Sequence, residues 1–194
     1  MRVQGAAMQR EIMRRIETAE DVTRALDALV ARDPRLGPVR KAAGAVPLRR
    51  SPAGFASLAS VIVSQQVSRA SADAIFGRLC RFVDPLTPET LLACGEGAMV
   101  AAGLSRAKQR ALMALAGAIA GGSLDLALLK RLPAEEATAA LVAVPGIGPW
   151  TAQAYLLIAT GHADIFPSGD VALQAAVARG LGLKFRPDAR KLMQ

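Results

Sequence analysis

Three short stretches carry the residues best placed to do chemistry. In "VPGIGPWTA", residues 144–152, Gly146 and Gly148 form a reversal that leads into Pro149. Both glycines are expected at positive φ, leaving backbone N–H groups open to a close approach. Pro149 needs no amide partner in the first turn of the next helix, whose remaining N–H groups and positive dipole end face the same spot. This is a phosphate cradle built of backbone, holding a sugar-phosphate chain without reading its bases. In "IFPSGDVALQAAV", Asp170 follows a Pro/Gly-rich stretch and opens a helix, where a carboxylate readily acts as a cap. In "SQQVS", residues 64–68, Gln65 and Gln66 could cap their turn or reach outward. Trp150, the single tryptophan, either packs in the core or offers its ring face to a cation.

The elements that must position these residues read as helices throughout, without alternating strand patterns. The fold class is all-α, organised as one domain or two closely packed lobes within 194 residues. Val22, Ala25, Leu26, Leu29 and Val30 form one apolar helix face, and the chain then turns at Pro34 and Gly37. Ser51 and Pro52 are expected as N-cap and first residue of the next helix, and "SRASADAIFGRLCRF" makes the second of the pair. Further helix starts are read at Thr87, Ser105, Ser123 and Pro133. One helix ends near Val142, the next runs from Pro149 to Gly161, and another from about Asp170 to Gly180. The closing "RPDARKLMQ" looks like the first turns of a helix.

A net charge of +8 and a pI near 10.5 point to an anionic partner, although an alanine- and arginine-rich composition produces basicity on its own. Cys80 and Cys94 are too far apart for a C-x-x-C motif and too few for a four-thiolate zinc or iron–sulfur site, so both are expected as reduced core thiols. His162, the single histidine, is read as a surface residue, and Lys108 and Lys130 as solvated charges. Apolar runs are broken before spanning length, which predicts a soluble, cytoplasmic protein without membrane contact.

The string of Pro-Gly-Ile-Gly followed by Thr151-Ala152 resembles the hairpin of the helix-hairpin-helix superfamily of DNA glycosylases (HhH-GPD), written L-P-G-[VI]-G-x-x-T-A. In that family an aspartate follows the hairpin by about twenty residues, and Asp170 stands at that distance from Trp150. Residues 55–79, with "SQQVS", are similar to the family's earlier helix pair, and residues 103–119 to the helix before the hairpin. The resemblance spans about 55–183 and is nearest to DNA-3-methyladenine glycosylase II, in a short form without its amino-terminal β domain.

What the resemblance implies is a two-lobed fold with an active-site cleft between lobes: one lobe from about 55–148, the other from about 1–54 plus 149–194. It implies base-excision repair of alkylated purines, 3-methyladenine and 7-methylguanine, in double-stranded DNA after base flipping. Asp170 would be catalytic; Trp150, Phe55 and Phe166 would line the base pocket, with core packing the other reading of each. Gly146, Ile147, Gly148, Thr151, Gln66 and Ser68 would contact DNA, Gln66 as the side chain filling the gap left by the flipped nucleotide. Strand-cutting members carry a lysine where this chain has Trp150, so no lyase activity is expected. Main-chain carbonyls of Val142, Val144 and Ile147 would hold Na+ or K+; no other cofactor and no iron–sulfur cluster is expected, and the protein would act as a monomer.

The sequence also departs from the family. Relatives continue into a last helix bearing a tryptophan and an arginine, whereas this chain stops at Gln194, which predicts an uncovered apolar helix face. A non-catalytic lesion-recognition module therefore remains the alternative, with a helix-turn-helix regulator a weaker third.

Overall fold

The computed structural model describes residues 15–193, and apart from one isolated bridge between Arg15 and His162 these contain helices and connecting turns. In chain order the helices are α1 (Ala19–Arg32), α2 (Leu36–Ala43), α3 (Phe55–Ser64), α4 (Arg69–Phe82), α5 (Pro88–Ala102) and α6 (Arg106–Ala120). There follow α7 (Leu126–Leu129), α8 (Ala134–Val142), α9 (Pro149–Tyr155), α10 (Val171–Gly180) and α11 (Ala189–Leu192). The all-α expectation holds for the described residues. No helix among them is long and apolar enough to cross a membrane.

The chain divides into two compact units at 50/51 and 160/161. Helix α9 thus belongs with 51–148, whereas the sequence reading grouped 149–160 with the other lobe. The reason is packing: α9 lies against α3 and α8.

In the unit of residues 51–160, Phe55, Leu58, Ala59, Ile62 and Val63 recur at helical spacing on α3 and are all buried. Helix α3 packs against α4, α6 and α9. Leu79, Leu91, Met99, Leu112, Leu115, Leu129, Leu141, Tyr155 and Leu156 complete a fully buried core. Each such aliphatic side chain contributes roughly 1.5–3 kcal/mol of transfer free energy. Ser68, Thr87 and Ser105 each accept the backbone N–H three residues on, fixing the starts of α4, α5 and α6 as expected. Two starts differ from expectation. Helix α3 begins at Phe55 after Gly54 (φ +142), with Ser51 and Pro52 in the preceding segment, where the Ser51 N–H donates to Ile158 O at 3.2 Å. Helix α7 is capped by Asp125, not Ser123, because the Asp125 carboxylate reaches the Ala127 N–H at 2.8 Å. Beyond Tyr155 the chain continues as a wider π-type turn over Leu156–Thr160, closed by Gly161 at φ +74. Cys94 is exposed and Cys80 partly so, neither being a core thiol; both are free.

In the other unit, α1 starts with a reciprocal capping box between Thr18 and Asp21. Its apolar stripe is incompletely covered: Val22, Ala25, Leu26 and Val30 are half-buried, and Leu29 is 51% exposed. The expected turn at Gly37 is instead the first turn of α2, where Pro38 is tolerated because early helical N–H groups lack intrahelical acceptors. His162 is 1% exposed rather than on the surface, since Ile16 N donates to Gly161 O at 2.8 Å and lays residues 15–16 along this segment. A Cβ at Gly161 would lie 1.9 Å from Arg50 Nη1. Val171, Leu183, Phe185 and Met193 are exposed apolar side chains of this unit.

Tyr155 is fully buried, and its Oη accepts the N–H of Gly54 at 3.1 Å, tying the start of α3 to the end of α9. Burial pushes the Tyr155 hydroxyl pKa up. Tyr155→Phe leaves that N–H without its acceptor and is expected to lower stability by about 1–2 kcal/mol in urea titrations, with the helical circular-dichroism spectrum unchanged.

Candidate functional site

The hairpin between α8 and α9 has the sequence signature of a type II turn. Pro145 and Gly146 are its central residues, Gly146 has φ +89, and Ile147 N donates to Val144 O at 3.1 Å. Gly146 is required twice over: besides its φ, a Cβ there would sit 2.5 Å from the Ala111 Cβ of α6. Val144 and Ile147 turn their side chains into the core. Gly148 does not take positive φ; it is the extended N-cap of α9 at φ −87, and a Cβ there would meet no atom of the chain. The two glycines therefore do different work, Gly146 allowing the hairpin to close on α6 and Gly148 leaving open space in front of α9. The Ile147 N–H is used within the turn. At the start of α9 the Gly148 and Thr151 amides have no acceptor among the described residues. The Thr151 side chain is 2% exposed and faces inward, so what Thr151 can offer a ligand is its amide.

At the other end of α3 the chain turns through Gln65 (φ −57, ψ 128) and Gln66 (φ +55). Gln66 is the one non-glycine residue of the described chain at positive φ, in the position where a type II turn ordinarily takes glycine or asparagine. Its side chain is exposed. Gln65 points elsewhere: its Nε2 donates to Thr151 Oγ1 at 2.7 Å. Ser68 is exposed and caps α4, accepting Ser71 N at 3.2 Å. Lys108 is not a freely solvated charge; its Nζ donates to Val63 O at 2.7 Å, and desolvation lowers its pKa. Sequence reasoning missed this residue, because the carbonyl it meets is distant in the chain.

In the unit of 15–50 and 161–193, Asp170 is the N-cap of α10, with Oδ1 accepting Leu173 N at 2.9 Å. The segment before it is itself pinned, by Ser168 N to Phe166 O and Asp170 N to Pro167 O, both 2.8 Å, and by Gln174 Nε2 to Ser168 O at 2.8 Å. Asp170 is half-buried, Phe166 is exposed and Trp150 is half-buried. Phe55 is 7% exposed and lines a hollow with Pro88, Ile119 and Leu124, which no hairpin residue borders. No cluster of three His, Cys, Asp or Glu side chains able to hold a metal occurs among the described residues.

Residues 59–194 match the HhH-GPD superfamily of base excision DNA repair proteins. The chain belongs to that superfamily. Among similar solved structures is a DNA-3-methyladenine glycosidase from Bacillus halodurans, 33% identical, with a TM-score of 0.76 over 87% of this chain and 78% of that one. Another is a 3-methyladenine DNA glycosylase from Schizosaccharomyces pombe in complex with abasic DNA, 25% identical, with a TM-score of 0.80 over 88% and 86% of the two chains. The "Putative DNA-3-methyladenine glycosylase YfjP" of Bacillus subtilis is 38% identical over 69 residues, 36% of this chain and 24% of that protein, so the matched stretch spans about a quarter of that curated relative. Within the HhH-GPD frame, Gly146, Gly148, Asp170 and the turn at Gln66 all lie inside the matched region.

The division of labour between the glycines gives opposite expectations for two alanine variants. Gly146→Ala adds a clash and a disfavoured φ and should cost about 2–4 kcal/mol of stability. Gly148→Ala should cost less than about 1 kcal/mol in the same denaturant titration, while weakening duplex-DNA binding several-fold in fluorescence anisotropy.

Proposed function

We propose that this HhH-GPD protein is a monofunctional DNA glycosylase that flips an alkylated purine, 3-methyladenine or 7-methylguanine, out of double-stranded DNA and hydrolyses its N-glycosidic bond. The observation that carries the reading is that one chain holds both the Val144–Thr151 hairpin and, in its other unit, a carboxylate at Asp170 that accepts the Leu173 N–H. As the base leaves with the bonding electrons, positive charge grows on the deoxyribose, and the Asp170 carboxylate stabilises it. Water then bonds to C1′, and Asp170 orients it or accepts its proton, leaving free base and an abasic site.

Purines alkylated at N3 or N7 carry a formal positive charge, which weakens the glycosidic bond and is attracted to an aromatic face by about 0.5–2 kcal/mol. Trp150, at the start of α9, supplies such a face, and Phe166 is an exposed aromatic of the other unit. The Trp150 position holds no amine for a Schiff base, and the Lys108 ammonium is engaged at Val63 O, which supports hydrolysis without strand cleavage. The Gly148 and Thr151 amides take a DNA phosphate. Carbonyls of Val142, Val144 and Ile147 would hold Na+ or K+ beside it. They fit such an ion: Val142 ends α8, where carbonyls lack intrahelical donors, and Val144 O keeps a lone pair after accepting Ile147 N–H. A cation there would offset phosphate charge.

Gln66 fills the space vacated by the flipped base, and its strained φ holds the side chain outward. Gln66→Gly relieves the strain and removes the filler, so thermal stability should stay level or rise by up to about 1 kcal/mol while excision falls at least about tenfold.

The capping role of Asp170 favours a second reading, a lesion-binding module without catalysis. One experiment separates the two. Asn caps a helix as well as Asp does, so Asp170→Asn should keep its melting temperature and DNA binding. Wild type should release methylated purines from alkylated duplex DNA, with strand breaks appearing only after alkali, and Asp170→Asn should do so at least about 100-fold more slowly. Folded wild-type protein that binds the DNA but releases no base would replace the enzyme with the binding module.

A further inference from the structure

The turn that presents Gln66 is strained and exposed, yet it is held from both sides. On one side lies α6, whose first turn carries Lys108; the N–H of Lys108 donates to the N-cap Ser105 Oγ at 3.5 Å, and its Nζ donates to Val63 O at 2.7 Å. Val63 is in the last turn of α3, where carbonyls have no intrahelical donors and the dipole is negative, so an ammonium there satisfies both. Its partner is a main-chain carbonyl, not a carboxylate, and it is reached at the cost of partial burial that lowers the Lys108 pKa. A lysine serving as a surface charge has no need of such a contact. On the other side lies α9, where the buried Thr151 Oγ1 accepts Gln65 Nε2 at 2.7 Å. Thr151 is the third residue of α9, three positions after Gly148.

We infer that Lys108 and the Gln65–Thr151 hydrogen bond form a brace that fixes the Gln66 turn against the hairpin, making Lys108 a positioning residue for nucleotide flipping. The idea rests on the glycosylase reading for its consequence, since a turn that must enter a duplex gains from being rigid before it arrives. Without the brace, a glutamine at positive φ relaxes toward ordinary backbone and the side chain loses its aim. The same brace makes insertion of Gln66 and the grip of the hairpin on phosphate a single event.

The test uses Lys108→Met, which keeps length and apolar bulk, Lys108→Arg, which restores the donor, and Thr151→Val, which cuts the second tie without changing shape. Three readouts are taken: amide hydrogen exchange of Gln65, whose N–H donates to Ile62 O at 3.3 Å, fluorescence of 2-aminopurine opposite an abasic site, and single-turnover release of 3-methyladenine. In Lys108→Met, exchange in the turn should quicken at least about tenfold, with core amides of α6 unchanged. The 2-aminopurine response and the excision rate should each drop about five- to tenfold, binding to undamaged duplex should stay within about twofold, and Lys108→Arg should recover most of the loss. Thr151→Val should move the same readouts in the same direction. Unaltered exchange in the turn in both variants overturns the brace, as does a loss of undamaged-duplex binding as large as the loss of excision. Hydrogen exchange and 2-aminopurine report without catalysis, so a wild type that releases no base defeats the glycosylase reading while the brace is still judged by those two signals.

Discussion

The contact on which the site depends is the approach of Gly146 to Ala111, too close for any side chain on the hairpin residue. It lets the α8–α9 turn press onto α6, with Val144 and Ile147 buried on either side of it. That seating fixes where α9 begins. Thr151 then lies within hydrogen-bond reach of Gln65, and Tyr155, one turn further on, meets the Gly54 amide. Both ends of α3 are thus tied to one short helix whose own start is set by the glycine. Gly148, with nothing in front of it, is the opening this arrangement leaves.

Charge and strain are distributed to match. Backbone amides at the start of a helix attract an anion wherever it passes, which suits the proposed binding of a uniform phosphate backbone by a chain of net charge +8. Chemistry on one base needs a discrete group, and the carboxylate proposed for it, Asp170, stands in a pinned segment at the head of α10. A residue held at positive φ without being glycine is sparsely populated unless its surroundings over-determine it. Beside Gln66, Lys108 of α6 donates to Val63 O and Thr151 of α9 accepts from Gln65.

The sequence was most legible where local rules decide. Helix ends at Val142 and Pro149, caps at Ser68, Thr87, Ser105 and Asp170, and the positive φ of Gly146 all follow from residue type and near neighbours. It misled where two local signals compete or where the partner is distant. Gly-x-Gly looks symmetric, but one glycine answers to Ala111 and the other to empty space. Ser51-Pro52 is a good helix start that loses to Gly54 because the Ser51 and Gly54 amides are claimed by Ile158 and Tyr155. Pro34 and Gly37 conceal α2, since proline and glycine are ordinary in a first turn. The burial of His162, the engagement of Lys108 and the exposure of Cys94 depend on segments far away in sequence, and no periodicity reports them.

In the proposed glycosylase the hairpin amides and the Gln66 turn grip one DNA duplex together. Titrating 15N-labelled protein with a short duplex containing an abasic site tests it directly. The Gly148 and Thr151 amides and the Gln66 side-chain amide are expected to shift most, and with a common saturation point. Large shifts confined to other surfaces, with these three groups unmoved at saturation, would contradict it.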